Sequence, residues 1–142
     1  ILKKVILNYH PLLKTKNILI QKDIKHSAIL MDSAHLERIL ENLISNAIDA
    51  SQQDGTIVIS THIDSSGIFS MKIQDNGCGI SAENQTKMFK PLFSTKKKMS
   101  SRHIGMGMVS VLKIVKAYKG KIELQSKINK GTQFNIILPM NA

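Results

Sequence analysis

The sequence predicts an α+β fold: a two-layer sandwich in which about three helices cover one face of a mixed β-sheet, with a long loop beside them. Two observations support this prediction. Apolar residues recur at helical spacing in some segments and alternate with polar residues in others. These segments follow one another as strand, helix, hairpin, helix, loop, helix and hairpin, an order typical of helices packed on one face of a sheet.

The composition is that of one globular domain. The 142 residues are 42% hydrophobic and 21% charged, which excludes a disordered chain. Aromatic residues make up 4%, so the core is expected to be aliphatic. A single cysteine excludes a disulfide framework and a four-cysteine zinc site. No apolar run reaches the roughly 20 residues that a membrane helix needs.

The first half of the chain contains one strongly amphipathic helix. The first segment, Ile1 to about Lys14, has apolar residues at helical spacing and predicts an opening helix that Pro11 ends. A strand is predicted from Asn17 to Ile24. Asp32 or Ser33 can cap the long helix, which is expected to run to about Gln52. Its apolar residues lie at helical spacing: Leu36, Ile39, Leu40, Leu43, Ile44, Ala47 and Ile48.

The second half is expected to hold two hairpins and two shorter helices. The predicted elements are strands 56–63 and 68–74, a helix capped by Ser81 and ending near Phe89, a loop over 90–103, a helix from Gly105 ended by Gly120, and strands 121–128 and 132–138.

Polar residues line one side of the long helix. At about 100° per residue, Asn42, Asn46 and Asp49 fall within about 60° of one another, beside the apolar face. They could simply face solvent. Alternatively, amide and carboxylate oxygens so placed could hold a hard cation such as Mg²⁺, which needs few protein ligands when phosphate supplies the others.

Two glycine motifs follow. Asp75-x-Gly77-x-Gly79 comes directly after a strand, where glycines let the backbone approach a ligand and the carboxylate can accept a hydrogen bond from an amino group. Gly105-x-Gly107 opens a helix, whose free N–H groups can bind phosphate. Each motif alone is also compatible with an ordinary turn or helix entry.

The charge supports an anionic ligand. The net charge is +10, and ten basic residues with no acidic one lie between Asn84 and Ile122. Such a field suits a phosphate ligand, a membrane surface or a nucleic acid. The chain has few aromatic residues and no recognisable nucleic-acid motif, so we expect no nucleic-acid partner.

Taken in order, these motifs resemble the ATP-binding catalytic domain of two-component sensor histidine kinases, which has the Bergerat or GHKL fold. The resemblance covers residues 17–139. Its motifs are Leu40 to Ala50 (similar to the N box), Asp75 to Ile80 (G1 box), Phe89 to Lys96 (F box, in the nitrogen-regulator form), Gly105 to Met108 (G2 box), and Lys130 to Phe134 with Leu138-Pro139 (closing hairpin).

The resemblance implies a role for each matched position. Asn46 would bind the Mg²⁺ that bridges the ATP phosphates, Asn42 would assist, and Asp75 would bind the adenine amino group. Lys96 would act with the two asparagines near the phosphates. The remaining implied ATP contacts are Asp49, Ala50, Gly77, Gly79, Ile80, Phe89, Lys90, Thr95, Arg102, Gly105, Met106, Gly107, Met108 and Thr132.

One position separates the branches of this superfamily. Its ATP-hydrolysing members carry a general-base glutamate where this sequence has Asn42, and an amide cannot take a proton from water. Glu41 lies about 140° from Asn46 around the helix, so it is expected to point away. A site that binds Mg-ATP without activating water suits a kinase.

The resemblance also implies a larger protein. Residues 1–16 are predicted to be the end of a dimerisation helix or linker, and 17–142 the catalytic domain. The γ-phosphate would go to a histidine on a dimerisation domain outside this sequence, and then to a response regulator. We expect a cytoplasmic location, a homodimer for the longer protein and a monomer for this fragment.

Two alternatives stay open from the sequence. An anti-sigma-type serine kinase shares the asparagine and glycine boxes, although the Pro91 to Lys96 segment fits it less well. The stretch before Gly105, where His103 and Ile104 stand in place of the usual extra glycine, would suit a non-catalytic nucleotide-binding or docking module.

Overall fold

The computed structural model describes residues 1–25, 29–89 and 107–140. The described helices are α1 (Leu2–Asn8), α2 (His10–Thr15), α3 (Ser33–Ala50), α4 (Ala82–Lys87) and α5 (Gly107–Ala117). The described strands are β1 (Leu19–Ile24), β2 (Thr56–Ile63), β3 (Ile68–Asp75), β4 (Lys121–Lys127) and β5 (Gly131–Pro139). The predicted loop over 90–103 and the helix entry at 105–106 lie outside the described residues.

The five strands form one mixed sheet in the order β1-β2-β3-β5-β4. β1 and β2 are parallel, so the chain must cross over between them, and α3 makes that crossover. All other pairs are antiparallel. The predicted fold class, with helices on one face of a mixed sheet, is confirmed.

The core lies between this sheet and the helices. Strand residues alternate, so Ile57 and Ile59 of β2 and Ile73 of β3 are at most 1% exposed while their neighbours face the other side. The apolar face of α3, which includes Ile39 and Ile44, belongs to the same core cluster as these strand residues, as the helical spacing of the sequence predicted. The core is largely aliphatic, as expected from the composition.

Local signals set the helix ends. Asp32 caps α3 by accepting a hydrogen bond from the backbone N–H of Ala34 at 2.8 Å, and Ser81 caps α4 in the same way with Asn84 at 3.1 Å. At its other end α3 stops at Ala50, two residues earlier than predicted, because Ser51 adopts an extended conformation.

The prediction that Pro11 ends the opening helix is wrong. α1 ends at Asn8, and Pro11 lies in the first turn of α2. Proline is tolerated there because the backbone N–H that it lacks has no partner inside the helix. The break comes earlier, at Tyr9, whose N–H bonds Ile6 O at 3.1 Å.

Residues 1–16 pack on the rest of the described fold. Val5, Tyr9 and Leu13 are at most 6% exposed and belong to the same core cluster as α3 and the sheet. The Lys16 ammonium donates to the carbonyl oxygens of Ile48 and Ser51 at 2.8 and 3.0 Å, at the carboxyl end of α3. A cation is favoured there by the helix dipole. The domain boundary after residue 16 stays a prediction.

α5 ends in a Schellman motif rather than directly at Gly120. Lys119 adopts φ +60°, its N–H bonds Lys116 O, and the N–H of Gly120 bonds Val115 O at 2.9 Å. Gly120 is needed for a different reason: a Cβ there would overlap the Ile137 carbonyl oxygen, so the glycine lets the chain enter β4 against β5. In the three described ranges, no helix is both long and apolar enough to cross a membrane.

Candidate nucleotide-binding site

The polar side of α3 faces the start of α5. The Asn42 amide nitrogen donates to Arg38 O at 2.8 Å, and its Oδ1 lies so close to Gly107 that a Cβ on Gly107 would overlap it. One turn later the Asn46 amide nitrogen contacts the Met108 sulfur at 3.2 Å. The stripe that the sequence predicted therefore lines the entry of α5. The first backbone N–H groups of any helix have no partner inside that helix, so such an entry can receive an anion.

The Asp75–Gly79 loop meets the other end of the same stripe. Ala50 O, at the end of α3, accepts from the Cys78 N–H at 3.0 Å and lies where a Cβ on Gly77 would be. Gly79 has φ +74°, and a Cβ on it would overlap the Lys127 carbonyl oxygen. Both glycines are thus required by close backbone approach, on one side to α3 and on the other to the β4–β5 turn.

Asp75 is a buried carboxylate at the end of β3, 5% exposed. Burial raises its pKa above the ordinary value, because the ionised form loses hydration; hydrogen bonds from the backbone N–H groups of Gly77 and Thr132 act in the opposite direction but are weaker. The Gly77 N–H reaches Oδ1 at 2.9 Å. A buried carboxyl group whose pKa is raised by desolvation is a candidate functional residue, and its oxygens can accept a hydrogen bond from a ligand donor.

Strand pairing puts Thr132 beside Asp75. Thr132 of β5 is the register partner of Asp75, and the two side chains share the helix-facing side of the sheet. Thr132 is 4% exposed, and its hydroxyl lies 2.9 Å from Ser126 Oγ on β4. Ser126 also accepts from the Ile80 N–H at 2.8 Å, so it joins β4, β5 and the glycine loop.

Three other predicted site residues are described and are less buried than Asp75 and Thr132. Ile80 and Phe89 are half-buried and pack against the core, while Asp49 is exposed on α3. Six predicted residues lie outside the described ranges: Lys90, Thr95, Lys96, Arg102, Gly105 and Met106.

Sequence reasoning did not pick out Ser126 or Gln85. Gln85 Nε2 donates to Ile80 O at 2.8 Å and to Ser126 O at 3.2 Å, which holds α4 to the glycine loop. A signal for Ser126 existed: it occupies the inward position of β4 after Ile122 and Leu124, where alternation calls for an apolar residue.

The donor set near the start of α5 suits a hard cation. The described residues hold no group of three His, Cys, Asp or Glu side chains able to enclose a metal. Mg²⁺ needs no such cage when phosphate oxygens and water complete its shell, and the amides of Asn42 and Asn46 lie on one side of α3. These side chains therefore fit a Mg²⁺ brought in with a phosphate ligand.

The chain also matches a known family. The model of the histidine kinase-, DNA gyrase B- and HSP90-like ATPases matches residues 31–142, most of the sequence. The chain belongs to this ATPase family. The family predicted from the ordered motifs is thereby confirmed, and with it the use of ATP.

Two relatives of the chain are named as kinases. The chain is 31% identical to sporulation kinase C of Bacillus subtilis over 129 residues, covering 89% of this chain and 29% of that protein. It is 36% identical to the histidine-protein kinase AtoS of Escherichia coli over 115 residues, covering 81% of this chain and 18% of that protein. The chain thus spans less than a third of the length of these relatives.

Solved structures of the same ATPase family agree. The catalytic domain of histidine kinase ThkA, in a nucleotide-free form, superposes with a TM-score of 0.83 at 25% identity, covering 98% of this chain and 90% of that one. Acinetobacter baumannii histidine kinase AdeS gives 0.80 at 28% identity, covering 99% of this chain and 63% of that one.

Proposed function

We propose that this ATPase-family domain is the catalytic part of a sensor histidine kinase, which holds Mg-ATP and delivers its γ-phosphate to a histidine on a separate dimerisation domain. In that step the acceptor imidazole nitrogen forms a bond to the γ-phosphorus while the bond from that phosphorus to the ADP oxygen breaks. A response regulator would then receive the phosphate. The relatives' names and the superposition on kinase catalytic domains support the proposal.

The two ends of the site would divide the work. Asp75 would accept a hydrogen bond from the adenine amino group, with Thr132 beside it and Ile80 against the ring. Asn46, assisted by Asn42, would hold Mg²⁺, and the start of α5 at Gly107 would receive the phosphates. The bound Mg²⁺ would supply charge neutralisation on the phosphates. Among the residues without described positions, Lys96, Thr95 and Arg102 are proposed to act near the phosphates.

One observation carries the kinase assignment over plain ATP hydrolysis. The α3 residue that lies against Gly107 is Asn42, and its amide nitrogen is already engaged with Arg38 O. A neutral amide cannot take a proton from an attacking water. The site would therefore bind ATP, orient it and leave the γ-phosphate for another nucleophile.

The phosphoacceptor is proposed to lie outside this sequence. His35 Nδ1 is 2.8 Å from the Tyr118 hydroxyl at the end of α5, which engages it within this domain. His10 is followed by Pro11, not by the acidic residue expected after an acceptor histidine. The longer protein is proposed to be a cytoplasmic homodimer or the cytoplasmic part of a membrane-bound sensor.

The test is ATP binding together with steady-state phosphate release by the purified 142-residue chain. We expect Mg²⁺-dependent ATP binding with turnover far below about one per second, since general-base catalysis worth roughly 10²–10⁴ in rate is missing. Asn46→Ala serves as the background control, because any release that survives it comes from contaminants. Sustained release at about one per second, abolished by Asn46→Ala, would assign the chain to the hydrolases.

A further inference from the structure

Ser126 is the residue at which four segments meet behind the proposed adenine pocket. Its Oγ lies 2.8 Å from the Ile80 nitrogen, 2.9 Å from Gly131 O and 2.9 Å from Thr132 Oγ1. Its backbone oxygen accepts from Gln85 at 3.2 Å. It therefore links the glycine loop, α4, β4 and β5.

The protons in this cluster can be assigned. The Ile80 N–H can only donate and the Gly131 carbonyl can only accept, so the single Ser126 hydroxyl proton goes to Gly131 O. If the Ser126 hydroxyl proton pointed to Thr132 Oγ1 instead, Ser126 Oγ and the Gly131 carbonyl oxygen would lie 2.9 Å apart with no proton between them. The Thr132 hydroxyl must consequently be the donor in its contact with Ser126.

This assignment decides what Thr132 offers to a ligand. Its only proton is directed at Ser126, so Oγ1 presents lone pairs to its remaining neighbours. Across the strand pair lies Asp75, whose carboxylate is also an acceptor. The end of the pocket is then bounded by two acceptors, which favour a ligand that brings N–H donors and disfavour one that brings a carbonyl oxygen.

We propose that Ser126 is a positioning residue for nucleotide selectivity: by holding the Thr132 hydroxyl as a donor to itself, it makes this pocket favour a 6-aminopurine over a 6-oxopurine. The inference rests on the proposed nucleotide site. Ser126 is proposed to act through Thr132 and not by touching the ligand itself. Without it, the Thr132 hydroxyl could rotate and donate to a 6-oxo group.

The chain offers a matched control in Gln85. Like Ser126, Gln85 tethers Ile80 and β4, through hydrogen bonds of 2.8 and 3.2 Å. Unlike Ser126, it is not one of the residues that bond Thr132 and Gly131 in this network. Gln85→Ala therefore loosens the same loop while leaving the hydroxyl protons as they are. A purely structural role for Ser126 predicts the same behaviour for both variants.

The experiment is titration of the 142-residue chain with ATP and with ITP in the presence of Mg²⁺. The two bases differ at position 6, which is amino in ATP and oxo in ITP, and at N1, which accepts a hydrogen bond in ATP and carries a proton in ITP. For wild type we expect tighter ATP binding. Ser126→Ala is expected to lower the ratio of the ITP Kd to the ATP Kd by about tenfold, the worth of one hydrogen bond made or left unmade. Gln85→Ala is expected to weaken both nucleotides and to leave the ratio within about twofold.

Two further variants test whether Ser126 acts through the Thr132 hydroxyl. Thr132→Val removes the hydroxyl and is expected to lower the ratio, and adding Ser126→Ala to it should change the ratio no further. If Ser126→Ala does not fold, Ser126→Cys replaces it, because a thiol donates and accepts only weakly and should lower the ratio part-way.

The outcomes separate the two proposals. If wild type fails to bind ATP, the proposed function fails and the inference with it. If wild type binds and prefers ATP but folded Ser126→Ala or Ser126→Cys keeps the full ratio, or if Ser126→Ala and Gln85→Ala change it equally, the role of Ser126 alone is overturned. If Ser126→Ala lowers the ratio further when it is added to Thr132→Val, the role of Ser126 is also overturned.

Discussion

The two ends of the site are built in different ways. At the end near Asp75, backbone meets backbone: strand register sets Thr132 opposite Asp75, and Gly77 is pressed against Ala50 O. At the end near the start of α5, two helices meet through side chains, Asn42 against Gly107 and Asn46 against Met108. The first end is fixed by strand pairing and backbone packing, whereas the second depends on side-chain torsions, which can rotate.

This difference fits what each end would bind. A flat, rigid base is recognised best by groups fixed in advance, since ordering them on binding would cost affinity. A triphosphate is flexible and charged, and the Coulomb attraction between its phosphates and a helix start changes little when either moves slightly. The contrast between the two ends can be tested by placing the same small group at each.

The largest effect is expected from adding one methyl group at the base end. In Gly77→Ala the new Cβ overlaps the Ala50 carbonyl oxygen, so the loop or the end of α3 must move. We expect a loss of about 3 kcal/mol in the free energy of unfolding together with loss of ATP binding. Chemical denaturation and nucleotide titration measure the two quantities.

Gly107→Ala is the matched change at the other end. Its Cβ meets the tip of the Asn42 side chain, which can rotate, so we expect a loss of about 1 kcal/mol or less. Adding Asn42→Ala should relieve the clash. Equal losses of stability for Gly77→Ala and Gly107→Ala would show that the two ends are not built differently.

Asn46→Ala is expected to act on function rather than on stability. Asn46 is only partly buried and does not belong to the apolar core cluster, so we expect a cost of about 1 kcal/mol or less in unfolding free energy. ATP affinity should lose its dependence on Mg²⁺, and the longer protein with its acceptor domain should no longer phosphorylate itself. Retained Mg²⁺ dependence in a titration with and without the ion would refute the metal assignment.

The smallest effect concerns pH and Asp75. Because the pKa of the buried carboxyl is raised, the native state binds this proton at a pH where the unfolded chain does not. The contribution of Asp75 to stability should therefore rise as pH falls through the window between its ordinary and its raised pKa, while ATP affinity falls as the better acceptor is lost. Denaturation and ATP titration across this window, with Asp75→Asn subtracted as the untitrating control, measure both. A contribution to stability that falls toward acid would contradict the raised pKa.

Much of the fold was predictable because its signals are local. The caps at Asp32 and Ser81, the two hairpins and the apolar face of α3 each depend on residues a few positions apart. Pro11 was misjudged because proline ends a helix in its interior but is accepted in a first turn, and the sequence leaves both positions open.

The sequence patterns that suggested the candidate site were visible in advance, but the contacts between them were not. The asparagine stripe and the glycine motifs are visible as patterns on α3 and after β3. The pairing of β3 with β5, which brings Thr132 to Asp75, joins residues far apart in sequence, and so does the contact of Asn42 with Gly107. The bonds of Ser126 depend on that same non-local pairing, so periodicity alone could mark it only as a polar residue in an apolar position.

The central claim is that Asp75, a buried carboxylate at the base end, binds the nucleotide. The most direct test is Asp75→Asn, with nucleotide affinity and the free energy of unfolding measured on the same sample. We expect the affinities for ATP and ADP to fall together by about tenfold or more, because the contact is to the base, while the free energy of unfolding at neutral pH stays level or rises by up to about 1 kcal/mol, since a buried charge is removed. Unchanged ATP affinity, or a loss for ATP with ADP unaffected, would contradict the claim.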